Sequence, residues 1–185
     1  GLDPLKPTIT YFSSWAQMTN VHSLGEGFER SLRAVLEMAR QKDYQLLIKL
    51  HPYERPWMEQ LYLEAATQHG VACKIVRTYL ELCLSCSDVV ISFGPSNTLL
   101  DAALLGTQAL SIRVRGFNIP AIPEVYLQKT ISDSAVQLGE EIEQLLAEPQ
   151  DLTPAIERYV GLTDGKAAQR IAAWILKGQP CHGSL

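Results

Sequence analysis

Apolar positions along this chain follow two rhythms that alternate. Short β-branched or aromatic runs give way to longer stretches whose apolar residues recur every three or four positions, the spacing of one helix face. Thr8–Ser13 (TITYFS) reads as a strand. Leu24–Lys42 reads as an amphipathic helix, with Leu24, Phe28, Leu32, Val35, Leu36 and Ala39 on one side. Gln45–Leu50 is a second strand. Pro56–His69 follows as a helix, with Pro56 near its first turn and Gly70 just past its end. Ala72–Val76 is a short strand and Thr78–Ser87 a helix. Asp88–Phe93 (DVVISF) has the near-continuous apolar character of a strand covered on both faces. Asn97–Leu105 is a helix stopped at Gly106, and Gln108–Val114 is the next strand. Helices over Ser132–Glu148, Thr153–Val160 and Gly165–Lys177 complete the pattern.

Repeated strand–helix alternation predicts a parallel sheet with helices on both faces, because each crossover must pack back right-handedly. The fold class is therefore α/β: a Rossmann-like doubly wound parallel sheet with C-terminal helices, one domain over 1–178 and a flexible tail over 179–185. The composition agrees. Of 185 residues, 46% are hydrophobic and 19% charged, so the chain has enough apolar surface for a full core and is not disordered. A formal net charge of −4 gives no footprint for nucleic acid or an anionic membrane. No apolar run reaches the roughly 18 residues of a membrane span. The first residues, Gly-Leu-Asp-Pro-Leu-Lys-Pro, lack the pattern of a secretory signal, so the expected location is cytoplasmic. Cys73, Cys83, Cys86 and Cys181 are scattered. Cys83-x-x-Cys86 has no partner pair at metal-site spacing, so these read as structural thiols and no metal site is expected.

Folds of this class bind ligands beyond the carboxyl ends of their strands. Four such ends carry candidate chemistry. Ser13 and Ser14 follow the first strand, where small residues let backbone N–H groups approach an anion. His51 ends the second strand and is followed by Pro52, a position suited to donating to a phosphate or to acid–base work. After Gly94-Pro95, Ser96-Asn97-Thr98 opens a helix. Ser96 or Asn97 caps it, and its positive end suits a diphosphate. Asp101 lies about one turn on, on the same helical side as Asn97 and Thr98, where a carboxylate accepts hydrogen bonds from ribose hydroxyls. Arg113 and Arg115 end the strand that follows, where either could reach a phosphate. Gly116–Pro123 is irregular and reads as a loop near the site.

Taken in order, these residues resemble a known family. The hydroxyl loop, Leu-Ile-Lys-Leu-His-Pro, Ser-Asp-Val-Val-Ile-Ser, Ser-Asn-Thr-Leu-Leu-Asp-Ala-Ala-Leu-Leu-Gly and Asp164-Gly-Lys-Ala-Ala-Gln-Arg-Ile171 are similar to the C-terminal donor-binding half of GT-B glycosyltransferase-like proteins. The nearest echoes are CDP-glycerol glycerophosphotransferases, capsule polysaccharide transferases and UDP-N-acetylglucosamine 2-epimerases. The resemblance implies a single GT-B-type half whose substrate is a nucleotide-sugar donor, with no further cofactor. It gives His51 a donor-phosphate or acid–base role, Ser96, Asn97 and Thr98 the diphosphate, and Asp101 the ribose. It also implies an acceptor-binding N-terminal domain outside this chain, and a place in surface polysaccharide or glycoconjugate synthesis. A 2-epimerase-type isomerase and a non-catalytic nucleotide-binding module are the alternative readings. The sequence departs from the family in two places: Gly94-Pro95 precedes Ser96 where the glycerophosphotransferases have Asp-Tyr, and the first loop reads Ser13-Ser14-Trp15.

Overall fold

The strand Thr8–Phe12, β1, shows how the sheet is covered. Its residues alternate between faces, and both faces are apolar or hydroxyl-bearing, so helices must pack on each side. The computed structural model describes residues 1–13, 22–94, 96–113 and 130–177. After β1 come α1 (His22–Lys42), β2 (Gln45–Lys49), α2 (Trp57–Gln68), β3 (Cys73–Val76), α3 (Leu80–Ser85), β4 (Val89–Phe93), α4 (Asn97–Leu104), β5 (Gln108–Arg113), β6 (Thr130–Ser132) and α5 (Ala135–Ala147). Every pairing is parallel, in the order β3-β2-β1-β4-β5-β6. That is the doubly wound arrangement, with its reversal between β1 and β4.

Ile9 and Tyr11 of β1 join one buried cluster with Phe28, Met58, Tyr62 and Leu138, from α1, α2 and α5. Phe28 is fully buried at its centre, its ring meeting Tyr11, Tyr62 and Phe93 at 5.8–6.1 Å between centroids. Phe12, on the other face, joins a smaller cluster with Leu84 of α3 and Leu99 and Ala102 of α4. Each fully buried Leu, Ile, Phe or Met side chain among these stabilises by about 1.5–3 kcal/mol. The edge strand β3 is only partly covered, which agrees with its being the shortest of the first five.

The chain divides at Leu152 into two units, Gly1–Leu152 and Thr153–Leu185, where the sequence reading drew one domain over 1–178. The second unit holds α6 (Thr153–Tyr159) and α7 (Ala167–Lys177). Before α7, the Asp164 carboxylate accepts from Arg170 Nη1 at 2.8 Å and from the Lys166 N–H at 3.0 Å. The Arg170 hydrogen bond holds the Asp164 carboxyl below the usual range. The expected tail, 179–185, and the loop Gly116–Pro123 lie outside the described residues.

Two of the differences from the expected element bounds have a visible cause. The helix expected over Thr78–Ser87 shortens to Leu80–Ser85, because Tyr79 takes a left-handed φ of 62° that ends any helix before it. The helix expected from Ser132 starts at Ala135, where the Ser134 hydroxyl accepts the Gln137 N–H at 3.5 Å; Thr130–Ser132 instead adds the edge strand β6.

Candidate functional site

Register places the candidate loops at one end of the sheet. Phe12 pairs with Lys49 on one side and Ser92 on the other, and Phe93 pairs with Ile112. Ser13, His51, Gly94 and Arg113 therefore leave the sheet at nearly the same level, around the reversal between β1 and β4. With neighbouring strands about 4.8 Å apart, the ends of β2 and β4 are separated by roughly 10 Å, the span of a sugar diphosphate. Arg113 is exposed at the end of β5. Ser14 and Arg115 lie outside the described residues.

Gly94, with φ of 71°, turns the chain out of β4 in a conformation that glycine adopts without strain. Ser96 then sits in extended backbone, and its hydroxyl accepts the Thr98 N–H at 3.3 Å. Ser96 rather than Asn97 is thus the cap of α4. Asn97 is exposed and Thr98 half-buried. Leu99, Ala102 and Ala103 anchor the helix in the core, while Leu104 is 41% exposed and supplies less packing than its apolar character suggests. With that face fixed, Asn97 and Asp101 share the opposite side, four residues apart. The Asp101 carboxyl is half-buried, and burial first, then the nearby Glu81 charge on α3, raise it above the usual carboxylate range. It makes no hydrogen bond or ion pair among the described residues.

At the β2 end the arrangement is unlike the expectation. Glu54 is 3% exposed and closes a turn, its N–H donating to the His51 carbonyl at 3.0 Å with Pro52 at the second position. Its carboxylate accepts the His51 N–H at 2.7 Å, the Tyr62 hydroxyl at 2.5 Å and the Ser13 hydroxyl. The His51 N–H also reaches Ser13 Oγ at 2.9 Å, and the Ser13 N–H donates to the Lys49 carbonyl at 3.1 Å. Ser13 is therefore a buried link between β1 and β2, with amide and hydroxyl both bonded inside the protein. Lys49 Nζ donates to the carbonyls of Leu50 at 2.8 Å and Arg77 at 2.9 Å. Burial lowers its affinity for a proton. Burial, followed by the Glu54 charge, raises the Tyr62 hydroxyl.

The His51 ring is half-buried and pairs with the Tyr53 ring at 5.4 Å. Its Nδ1 accepts the Tyr53 N–H at 3.3 Å, so a neutral ring carries its proton on Nε2. Burial, with Lys49 adding in the same direction, lowers its proton affinity; the Glu54 charge opposes this. Sequence reasoning missed Glu54, Lys49 and Tyr62. The signal for Glu54 was its place three residues after a strand-end His followed by Pro, the closing position of a turn. Of the CXXC pair, Cys83 is buried and Cys86 exposed.

No family model matches the chain. No curated protein matches it either. Solved structures do. The chain is similar to the UDP-GlcNAc 2-epimerase of Methanocaldococcus jannaschii, solved with UDP-GlcNAc and UDP, at 14% identity and a TM-score of 0.63 over 94% of this chain and 46% of that one. It is similar to the calicheamicin glycosyltransferase CalG4, at 14% identity and a TM-score of 0.62 over 96% of this chain and 44% of that one. It is similar to the S. aureus protein MnaA, solved with UDP, at 15% identity and a TM-score of 0.58 over 94% of this chain and 45% of that one. The chain thus spans less than half the length of these proteins. Among the described residues, no helix is long and apolar enough to cross a membrane. The α/β sheet of this chain has the fold of one Rossmann-like half of a GT-B protein, and it fits the C-terminal half.

Proposed function

We propose that the sheet's carboxyl end binds the nucleoside diphosphate of a nucleotide-sugar donor, for a glycosyltransferase of surface polysaccharide or glycoconjugate synthesis. One observation carries the reading. The capped start of α4 stands beside the reversal of strand order, with a raised, uncompensated Asp101 carboxyl on the same helical side one turn along. In this reading the positive end of α4, at Asn97–Thr98, faces the diphosphate, and Asp101 accepts from the ribose hydroxyls. Arg113 neutralises phosphate charge from β5, and His51 donates from Nε2. An acceptor hydroxyl attacks the activated sugar carbon, the bond to the diphosphate oxygen breaks, and the leaving charge is held by dipoles already in place. The acceptor is supplied by a second domain outside this chain.

The likeness to a 2-epimerase solved with UDP-GlcNAc and UDP favours a second reading, an isomerase of the same donor. Thermal unfolding of the chain with UDP, CDP, GDP or CMP tests the shared claim. A nucleotide at about 100 times its dissociation constant adds roughly 2.7 kcal/mol, so one of the four must raise the midpoint by several degrees. No shift with any of them leaves the chain a module without nucleotide binding. Conversion of UDP-GlcNAc by the full-length protein without an acceptor selects the isomerase.

A further inference from the structure

The Glu54 carboxylate is buried, takes no part in the contacts assigned to the nucleotide, and still gathers hydrogen bonds from three elements. They come from Ser13 at the end of β1, His51 at the end of β2 and Tyr62 within α2. Arg77 adds a bond from its Nη1 to the Glu54 carbonyl at 3.1 Å, so the residue is held at both backbone and side chain. What this fixes is the turn that carries His51. The turn delivers the Tyr53 N–H to Nδ1 at 3.3 Å, while Nε2 makes no hydrogen bond among the described residues. We propose that Glu54 is a positioning residue for His51: its carboxylate pins the β2–α2 turn so that Nδ1 is capped by the Tyr53 N–H and Nε2–H is offered to a phosphate of the donor. This rests on the nucleotide reading only for what Nε2 meets; the pinning is a property of the free chain.

The three donors show which substitution keeps the device. A glutamine of the same shape retains one acceptor oxygen for the His51 N–H, the donor that cannot rotate, and for the Ser13 hydroxyl on that same oxygen, while the Tyr62 hydroxyl turns to accept from its amide. Alanine leaves the turn unpinned. Tyr62→Phe removes one of the three bonds and keeps the aromatic packing.

The test pairs two readouts on the chain: imidazole nitrogen NMR of His51 without ligand, and titration with UDP. The wild type should show a single tautomer, protonated at Nε2. Glu54→Ala should give averaged nitrogen shifts and bind UDP about tenfold more weakly, Tyr62→Phe should move both readouts the same way by a smaller amount, and Glu54→Gln should restore both. Where Glu54→Ala leaves too little folded protein, Tyr62→Phe and Glu54→Gln decide. A folded Glu54→Ala, or a Tyr62→Phe in its place, with the His51 tautomer and UDP affinity unchanged overturns the proposal. A wild type with the single tautomer but no UDP binding retires the nucleotide reading and leaves the pinning to be judged by NMR alone.

Discussion

Asp101 of α4 feels the charge of Glu81 on the neighbouring helix α3, and this repulsion adds to burial in raising the Asp101 carboxyl. An acid whose folded pKa is raised lowers stability as pH rises past its unfolded value, and the loss is complete above the folded value. Asp101→Asn should therefore unfold at or above the wild-type midpoint at pH 7, with the difference closing as pH falls through 4. UDP affinity should move the other way, down by about 1.5–3 kcal/mol, from the lost ribose bonds. Melts from pH 3.5 to 7.5 beside calorimetric UDP titrations check both. A destabilised variant with unchanged affinity would make Asp101 structural.

Ser96 separates capping from binding. Ser96→Ala removes the acceptor of the Thr98 N–H, which should cost about 0.5–2 kcal/mol in urea melts. Ser96→Asp keeps a good cap and puts negative charge where the diphosphate is placed. Its stability should match or exceed the wild type, while UDP binding falls at least as far as in Ser96→Ala. A Ser96→Asp protein that binds UDP as the wild type does would move the diphosphate elsewhere.

His51 gives a pH dependence of known sign. Its folded pKa is depressed, by burial first, so its contribution to stability is present above the ordinary histidine value near 6.5 and is lost as pH falls through that value toward the folded one. The wild type should lose stability between pH 7 and 5 more steeply than His51→Gln, which has nothing to titrate. Equal slopes in paired urea melts would mean the ring is as free as in the unfolded chain.

The core prediction is the simplest. Phe28 is fully buried and its ring meets rings from β1, α2 and β4. Phe28→Ala should cost about 3–5 kcal/mol in urea denaturation. A cost below 1 kcal/mol would show that the α1 face collapses around the gap.

Much of the fold was readable because periodicity is a local property. DVVISF declares a doubly covered strand, and the spacing from Phe28 to Ala39 declares a helix, whatever else the chain does. The turn at Tyr79 was not readable, since a left-handed tyrosine has no sequence mark. Nor was β6, three residues long and hidden at a helix start. In the site, the strand pattern put His51, Gly94 and Arg113 at one end of the sheet, and the cap signal put Ser96 at the start of α4. The bond from Ser13 to Glu54 was not readable, because the two are 41 residues apart and only the parallel pairing of β1 with β2 brings them together.

The most direct test is a crystal structure of the chain with UDP. The diphosphate should lie at the start of α4 against Ser96–Thr98, with ribose hydroxyls on Asp101 and His51 Nε2 within hydrogen-bond reach of a phosphate oxygen. UDP bound at the amino end of the sheet, or at the carboxyl end without touching α4, would contradict this placement.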